Sequence, residues 1–325
     1  MSSDPLILVG DVGGTHARFA IAAATGETFR FAHRVDLGSD DFASFEAVLR
    51  SYLDRIGLSE HPTSAAVAVA GPVTAGSVHF TNRGWNASED HLRTLGFSSA
   101  LLINDFAALA FSIAALDDSS FRSIGPALEG LEGEPITILG AGTGFGVSCL
   151  ARYRGRAIPV ATEGGHIGFA PRGDQQFAVL SILARRYGHV SVERILSGPG
   201  LENIHQALEE VAGRKAPPLS APDIVARAEA GGEVCSAAVD MFCAVYGAVA
   251  GDFALAHGAR AGVFIAGGIA EKIEVFLKQG GFRASFEDKG RLSYFVKPIP
   301  TKLLLNPDAT FLGAARASLE FSSRR

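Results

Sequence analysis

The sequence predicts two mixed α/β domains of related topology. Three observations carry this: the length, a duplicated opening in each half, and the alternation of helical and strand periods after each opening. At 325 residues the chain exceeds what one core accommodates. Each half opens with three strand-like runs and a glycine-rich turn between the first two. The first turn is Gly10-Asp11-Val12-Gly13-Gly14-Thr15; the second, 130 positions on, is Gly140-Ala141-Gly142-Thr143-Gly144-Phe145-Gly146. No low-complexity linker is present, so short hinges are expected near Leu116 and Asn306. They would give one domain from residues 1–115 with 306–325 and another from 116–305, with a nucleotide held between the paired loops.

Taken in order, β-rich apolar runs predict strands at 6–11, 17–22 and 29–35, followed by an amphipathic helix over 41–56. A strand is expected at 65–70, a helix near 87–95, a strand at 100–103 and a helix at 106–116. The second half predicts strands at 136–140, 147–153 and 157–160, then helices from about 175 onward, including 200–212, 221–230 and 234–257. A strand at 262–266 and an amphipathic helix at 309–320 close the pattern. The weakly polar stretch 241–270 is interrupted by Asp252, His257 and Arg260, which favours a buried helix and strand over a membrane span.

Composition excludes several partners. A formal net charge of −5 gives no electrostatic footprint for nucleic acid or an anionic membrane. Hydrophobic residues at 47% against 19% charged describe an ordered chain rather than a disordered one. Cys149, Cys235 and Cys243 form no CxxC pair and sit among apolar neighbours, so a reduced cytoplasmic setting is expected. The opening Met1-Ser2-Ser3-Asp4 has neither a basic region nor a long apolar stretch, which predicts no signal peptide.

In the two turns, glycines let the backbone take positive φ and approach a ligand, and Thr15 and Thr143 add hydroxyls beside exposed N–H groups. Asp11 would repel phosphate unless a cation lay between them, so Mg²⁺ bridging through water is expected there. Gly-Gly between apolar runs is also a hairpin signal, and for either turn alone both readings stand. Competing nucleotide motifs are missing: no Gly-Lys dipeptide for a P-loop, no G-x-G-x-x-G, and neither H-R-D nor D-F-G.

Leu101-Leu102-Ile103-Asn104-Asp105-Phe106 is an apolar strand ending in two polar residues before a helix, where open α/β sheets put reacting groups. Asp105 is then either an N-cap or a carboxylate base for an attacking hydroxyl, with Asn104 binding a neighbouring hydroxyl. Glu163-Gly164-Gly165-His166 and His189-Val190-Ser191-Val192-Glu193 form a second polar cluster. Without HExxH or Cys spacing, hydrogen bonding to a polyhydroxylated ligand is favoured over metal binding. For Glu193, beside Arg194, a surface ion pair is the alternative.

Together GDVGGTHARFAIA, LLINDFAALA, GAGTGFGVS, EGGHIGFAP, GHVSVERILSGPGL, GVFIAGGIA and FRASFEDKGR resemble the bacterial glucokinase family, within the actin-like sugar-kinase ATPase superfamily. The matching segments run in order from about Leu6 to Gly313. The resemblance implies two ribonuclease H-like domains with the active site in the cleft between them. It implies a cytoplasmic, usually homodimeric ATP:glucose 6-phosphotransferase. It puts the catalytic base at Asp105 and sugar contacts at Asn104, Glu163, His166 and Glu193, the last two towards the anomeric end. It puts the phosphate loops at Gly10, Asp11, Val12, Gly13, Gly14 and Thr15 and at Gly142 and Thr143, and the turn beside adenosine at Gly267 and Gly268. His16 stands where many relatives carry Asn, and Gly168 where many carry Asp, which touches contacts around the core chemistry. The Cys-rich zinc motif of the related repressor and open-reading-frame kinase group is missing, so no structural zinc is expected. A kinase for another hexose, and a sugar sensor without transfer, are the alternatives; the presence of both Asp11 and Asp105 argues against the sensor.

Overall fold

The apolar run LILVGDV folds as β1 (Leu6–Val12) and turns back into β2 (His16–Thr25) and β3 (Thr28–Gly38), an antiparallel meander. These are the first elements of a computed structural model that describes residues 6–26, 28–58, 61–80 and 84–322. The chain divides into two compact units. One comprises Met1–Asp117, Pro159–Ala161 and Asn306–Arg325; the other comprises Asp118–Ile158 and Thr162–Leu305. Residues 1–5 and 323–325 of the first expected domain lie outside the described residues.

In the first unit, α1 (Phe45–Ile56) leads to β4 (Ser64–Val69), which lies parallel to β1. The expected helix near 87–95 is shorter than its pattern. Residues Trp85–Ser88 instead form β6, paired with β5 (Ser77–Phe80), because Trp85 and Ala87 point inward with a period of two. Helix α2 (Glu89–Thr94) begins only after Ser88, whose side chain caps it by accepting from His91 N. Strand β7 (Ser99–Asn104) and helix α3 (Asp105–Ile113) follow, giving a sheet ordered β3-β2-β1-β4-β7. One face packs on Val48, Leu49 and Tyr52 of α1; the other meets Phe311, Ala314 and Ala315 of the C-terminal helix, Ala309–Ser322. That helix crosses α3 so closely that a Cβ at Gly313 would stand 1.7 Å from Ala108 O, and this contact fixes the helix carrying Asp105.

In the second unit, β8 (Phe121–Ser123), β9 (Ile136–Ala141), β10 (Phe145–Tyr153) and the ends of β11 (Arg156–Thr162), whose Pro159–Ala161 are grouped with the first unit, precede four helices. These are α4 (Gly173–Tyr187), α5 (Gly198–Val211), α6 (Ala221–Glu229) and α7 (Glu233–His257). Strand β12 (Gly262–Ala266) runs parallel to β9, completing with β13 (Thr301–Leu304) a sheet ordered β11-β10-β9-β12-β13-β8. Between β12 and β13 lie the short helices α8 (Gly268–Lys272), α9 (Glu274–Lys278), α10 (Gly281–Glu287) and α11 (Ser293–Val296). Helix α7 is long and apolar enough to cross a membrane. Its Phe242, Tyr246 and Ala250 are instead fully buried in this unit's core, and a Cβ at Gly247 would meet Phe282 O of α10 at 1.9 Å.

Candidate active site

Strands β1, β4 and β7 are parallel, and their registers set Val12 beside Val69 and Val69 beside Asn104. The first glycine turn and Asp105 therefore leave one sheet along the same carboxyl edge, with Val12 and Asn104 about 10 Å apart across two strand spacings. Open α/β sheets bind ligands at this edge.

The first turn is a tight hairpin in which Gly13 N donates to His16 O at 2.9 Å. Thr15 is exposed at its tip, and Thr15 O accepts from Ser39 N. Positive φ, expected of these glycines, is not their role: among the glycines of both loops and the later turn, only Gly267 has it, at 91°. Gly10 is required by space, since a Cβ would meet Phe19 Cε1 and Val67 Cγ1, each at 2.9 Å. Gly13 has nothing nearer than His16 O at 3.9 Å, so its backbone faces open space. The Asp11 carboxylate, directly across β1 and β2 from Arg18, forms an ion pair with it. Part of the repulsion that Asp11 would exert on phosphate is thus offset within the protein itself.

Asn104, 8% exposed, is the residue that caps α3: its Oδ1 accepts from Ala107 N at 3.1 Å. Asp105 is released from the capping role and becomes the first helical residue. Its Oδ1 accepts from Phe106 N at 2.9 Å and from Asn104 Nδ2 at 3.1 Å, and the same Nδ2 reaches Gly71 O at 3.3 Å. The carboxylate is oriented by two donors at a helix N-terminus.

In the second unit, the loop Gly142–Gly144 closes the β9–β10 hairpin, with Gly142 N donating to Gly144 O at 2.8 Å. Thr143 is exposed, and nothing lies within 4 Å of a would-be Cβ on Gly142. Strand β12 brings its end alongside, with Ala266 opposite Gly140, so Gly267 and Gly268 flank this loop. Gly267 both adopts φ 91° and packs where a Cβ would stand 2.4 Å from Ala141 O. Glu193 is half-buried and accepts from Phe145 N at 2.8 Å, while Arg194 lies over the Tyr187 ring at 4.3 Å, so the two neighbours do not pair. Glu163 and His166 bracket a single tight turn and are both exposed, His166 Nε2 standing 3.9 Å from Glu163 Oε2. The turn is seated against Phe145, because a Cβ at Gly165 would fall 2.1 Å from Phe145 O. Val192 N to Ile167 O, at 2.9 Å, ties it to the turn carrying Glu193.

Within the first unit the structure thus gathers Gly10–Thr15, Asn104 and Asp105 along one edge. Within the second it gathers Gly142, Thr143, Glu163, His166, Glu193, Gly267 and Gly268. Sequence reasoning missed Arg18 and the Phe145 N–H. Arg18 was legible, because a hairpin turn at Gly13-Gly14-Thr15 sets it opposite Asp11; the contact between Phe145 and Glu193, 48 positions apart, left no sequence signal.

Comparison with known proteins covers nearly the whole chain. The family model described as Glucokinase matches residues 8–320. A curated glucokinase of Caulobacter sp. (strain K31) is 47% identical over 318 residues, 98% of this chain and 96% of that protein. Among solved structures, a glucokinase from an Antarctic psychrotroph is 36% identical with a TM-score of 0.86, covering 97% of this chain and 99% of that one. A ROK family glucokinase from Streptomyces griseus, solved with glucose and AMPPNP, shares the fold at 16% identity and a TM-score of 0.65, covering 97% and 99%. The mixed sheets flanked by helices are those of the actin-like ATPase fold of these sugar kinases.

Proposed function

Because the chain belongs to the glucokinase family and has its activity, phosphorylation of a sugar by ATP, we propose that it makes glucose 6-phosphate with Asp105 as general base. The observation that carries this reading is the Asp105 carboxylate, oriented on Oδ1 by Asn104 Nδ2 and Phe106 N at the carboxyl edge of the sheet. In this reaction the glucose 6-hydroxyl gives its proton to Asp105 as its oxygen attacks the γ-phosphorus, and ADP leaves with the electron pair of the broken P–O bond. The first unit supplies the base, Asn104 for a neighbouring hydroxyl, and the N–H groups of the Gly10–Thr15 turn for phosphate. The second supplies Gly142 and Thr143 for phosphate, Gly267 and Gly268 beside adenosine, and Glu163, His166 and Glu193 for the sugar. Backbone N–H groups aimed at phosphate oxygens stabilise charge without reorganising as it moves. That a relative of this fold holds glucose and AMPPNP supports both substrates.

Asp11 suits Mg²⁺ held through water: its carboxylate is a hard oxygen donor, 16% exposed, and its Arg18 partner disfavours direct coordination. Mg²⁺ bound there would neutralise phosphate charge. Three buried thiols suit a reducing cytoplasm, and a homodimer is proposed from the family resemblance alone.

The test is a coupled assay of ADP and glucose 6-phosphate formation on wild type and Asp105→Asn, with glucose binding measured by calorimetry. The variant is expected to bind glucose and to lose turnover by about 10²–10⁴-fold. Near-normal turnover would remove Asp105 from the role of base.

A further inference from the structure

Glu193 occupies a single helical turn, Val192–Arg194, immediately before α5, and its side chain reaches back to the second glycine loop. Oε2 accepts from Phe145 N at 2.8 Å, and a Cβ at Gly144 would stand 2.5 Å from that same oxygen. The only side chain tolerated at 144 without displacing Glu193 is therefore none at all. The other end of the loop is tied to the same segment, since Gly198 N donates to Gly142 O at 2.9 Å. Ser197 closes the frame: its Oγ donates to Glu193 O at 2.8 Å and accepts from Gly200 N at 3.0 Å, capping α5. Among the described residues, Oε1 of Glu193 has no hydrogen-bond or ion-pair partner.

We propose that Glu193 is a positioning residue for the Gly142–Phe145 loop and that, through it, sugar occupancy sets how tightly that loop holds the nucleotide. The first part stands on the geometry; the second rests on the proposed sugar contact at Glu193. A carboxylate accepting from a backbone N–H makes a charge-assisted hydrogen bond, and here it fixes the Phe145 end of the loop. A sugar hydroxyl donating to Oε1 restricts the same side chain from its other oxygen. Each ligand then lowers the ordering cost for the other, and the coupling is reciprocal.

The experiment is calorimetric titration of AMPPNP, with and without saturating glucose, into wild type, Glu193→Ala, Glu193→Gln and Gly144→Ala, each checked by thermal melting. Without sugar, Glu193→Ala is expected to bind AMPPNP about tenfold more weakly, the loss of one charged hydrogen bond. Glu193→Gln, whose amide oxygen still accepts from Phe145 N, is expected to stay within about twofold of wild type on the nucleotide while losing glucose affinity. Gly144→Ala pushes Oε2 away with Glu193 untouched, and it is expected to repeat the Glu193→Ala loss even if Glu193→Ala fails to fold. Glucose should tighten AMPPNP in wild type and cease to do so in Glu193→Ala and Gly144→Ala. Wild-type AMPPNP affinity in both these variants would overturn the positioning role, and an unchanged glucose effect in them would overturn the coupling. No AMPPNP binding by wild type itself would instead bring down the functional reading and this inference with it.

Discussion

Asn104 donates from Nδ2 to Oδ1 of Asp105 at 3.1 Å while its own Oδ1 accepts from Ala107 N, so one side chain both caps α3 and orients the adjacent carboxylate. The two duties are separable. Asn104→Ala loses both and should cost about 1 kcal/mol of stability through the cap. Asn104→Ser keeps a capping oxygen but is too short to reach Asp105 while it caps. Both variants are expected to lower kcat by about tenfold, the value of one hydrogen bond to a charged group, with only Asn104→Ala melting lower. Wild-type kcat in a stable Asn104→Ser protein would show that Asp105 does not need the Asn104 donor and that Phe106 N suffices to orient it.

Two glycines in the paired loops make opposite predictions. Gly10 is walled in by Phe19 and Val67, so Gly10→Ala should destabilise the protein by about 1–3 kcal/mol through overpacking. Gly142 has open space around it and no positive φ, so Gly142→Ala should melt like wild type yet raise the KM for ATP, because its methyl group enters the volume proposed for phosphate. Scanning calorimetry and steady-state kinetics on the pair check this; a Gly142→Ala enzyme with unchanged KM would place the phosphate elsewhere.

What the sequence disclosed and what it hid follow from where the determining contacts lie. Strands β1, β9 and β12 were legible because each is a continuous apolar run buried on both faces, with the glycine turn punctuating it. Strand β13 was not: Thr301–Leu304 follows Pro298 and Pro300 and reads as loop, and becomes a strand only because β12 offers Val263, Phe264 and Ile265 as parallel partners. Helices α8 to α11 have four to seven residues each, too short to form on propensity, and depend on packing. FRASFEDKGR registered only as a resemblance. Its structural content is Arg283, 6% exposed, which donates to Ile299 O, Lys297 O and Thr301 Oγ1 and so moors α10 to the segment entering β13. In the site, residue types were legible and their couplings were not, since Glu193 meets Phe145 only after the hairpin and α5 have formed.

Sugar choice is testable against epimers. A pocket that hydrogen-bonds each hydroxyl leaves its own polar groups unpaired when one is missing or inverted, and such sites discriminate by up to about 10⁴–10⁵. Glucose is expected to give the highest kcat/KM in a panel with mannose and N-acetylated hexosamines. A higher value for mannose would keep the phosphoryl transfer and replace the substrate.

Stability should fall as pH drops below about 6.5, the ordinary imidazole value, because two histidines are held neutral in the fold. His205, 2% exposed, has its pKa lowered by burial, with Arg227 lowering it further and Glu209 opposing; His257, bonded to Thr137 Oγ1 at 2.8 Å, is lowered by burial. A folded-state pKa below the unfolded value means that the unfolded chain binds more protons in this window, so stability rises with pH through it and is lost on acidification. Glu274 shifts in the same direction, held below the ordinary carboxylate range by Lys278 and Arg122, but its contribution fades only below pH 4.5. Melting curves between pH 5 and 7 therefore isolate the imidazoles. His205→Leu removes a buried ring whose Nδ1 has no partner, and it should flatten the slope over that interval. A slope equal to wild type would mean that His205 is charged or solvated in the folded protein.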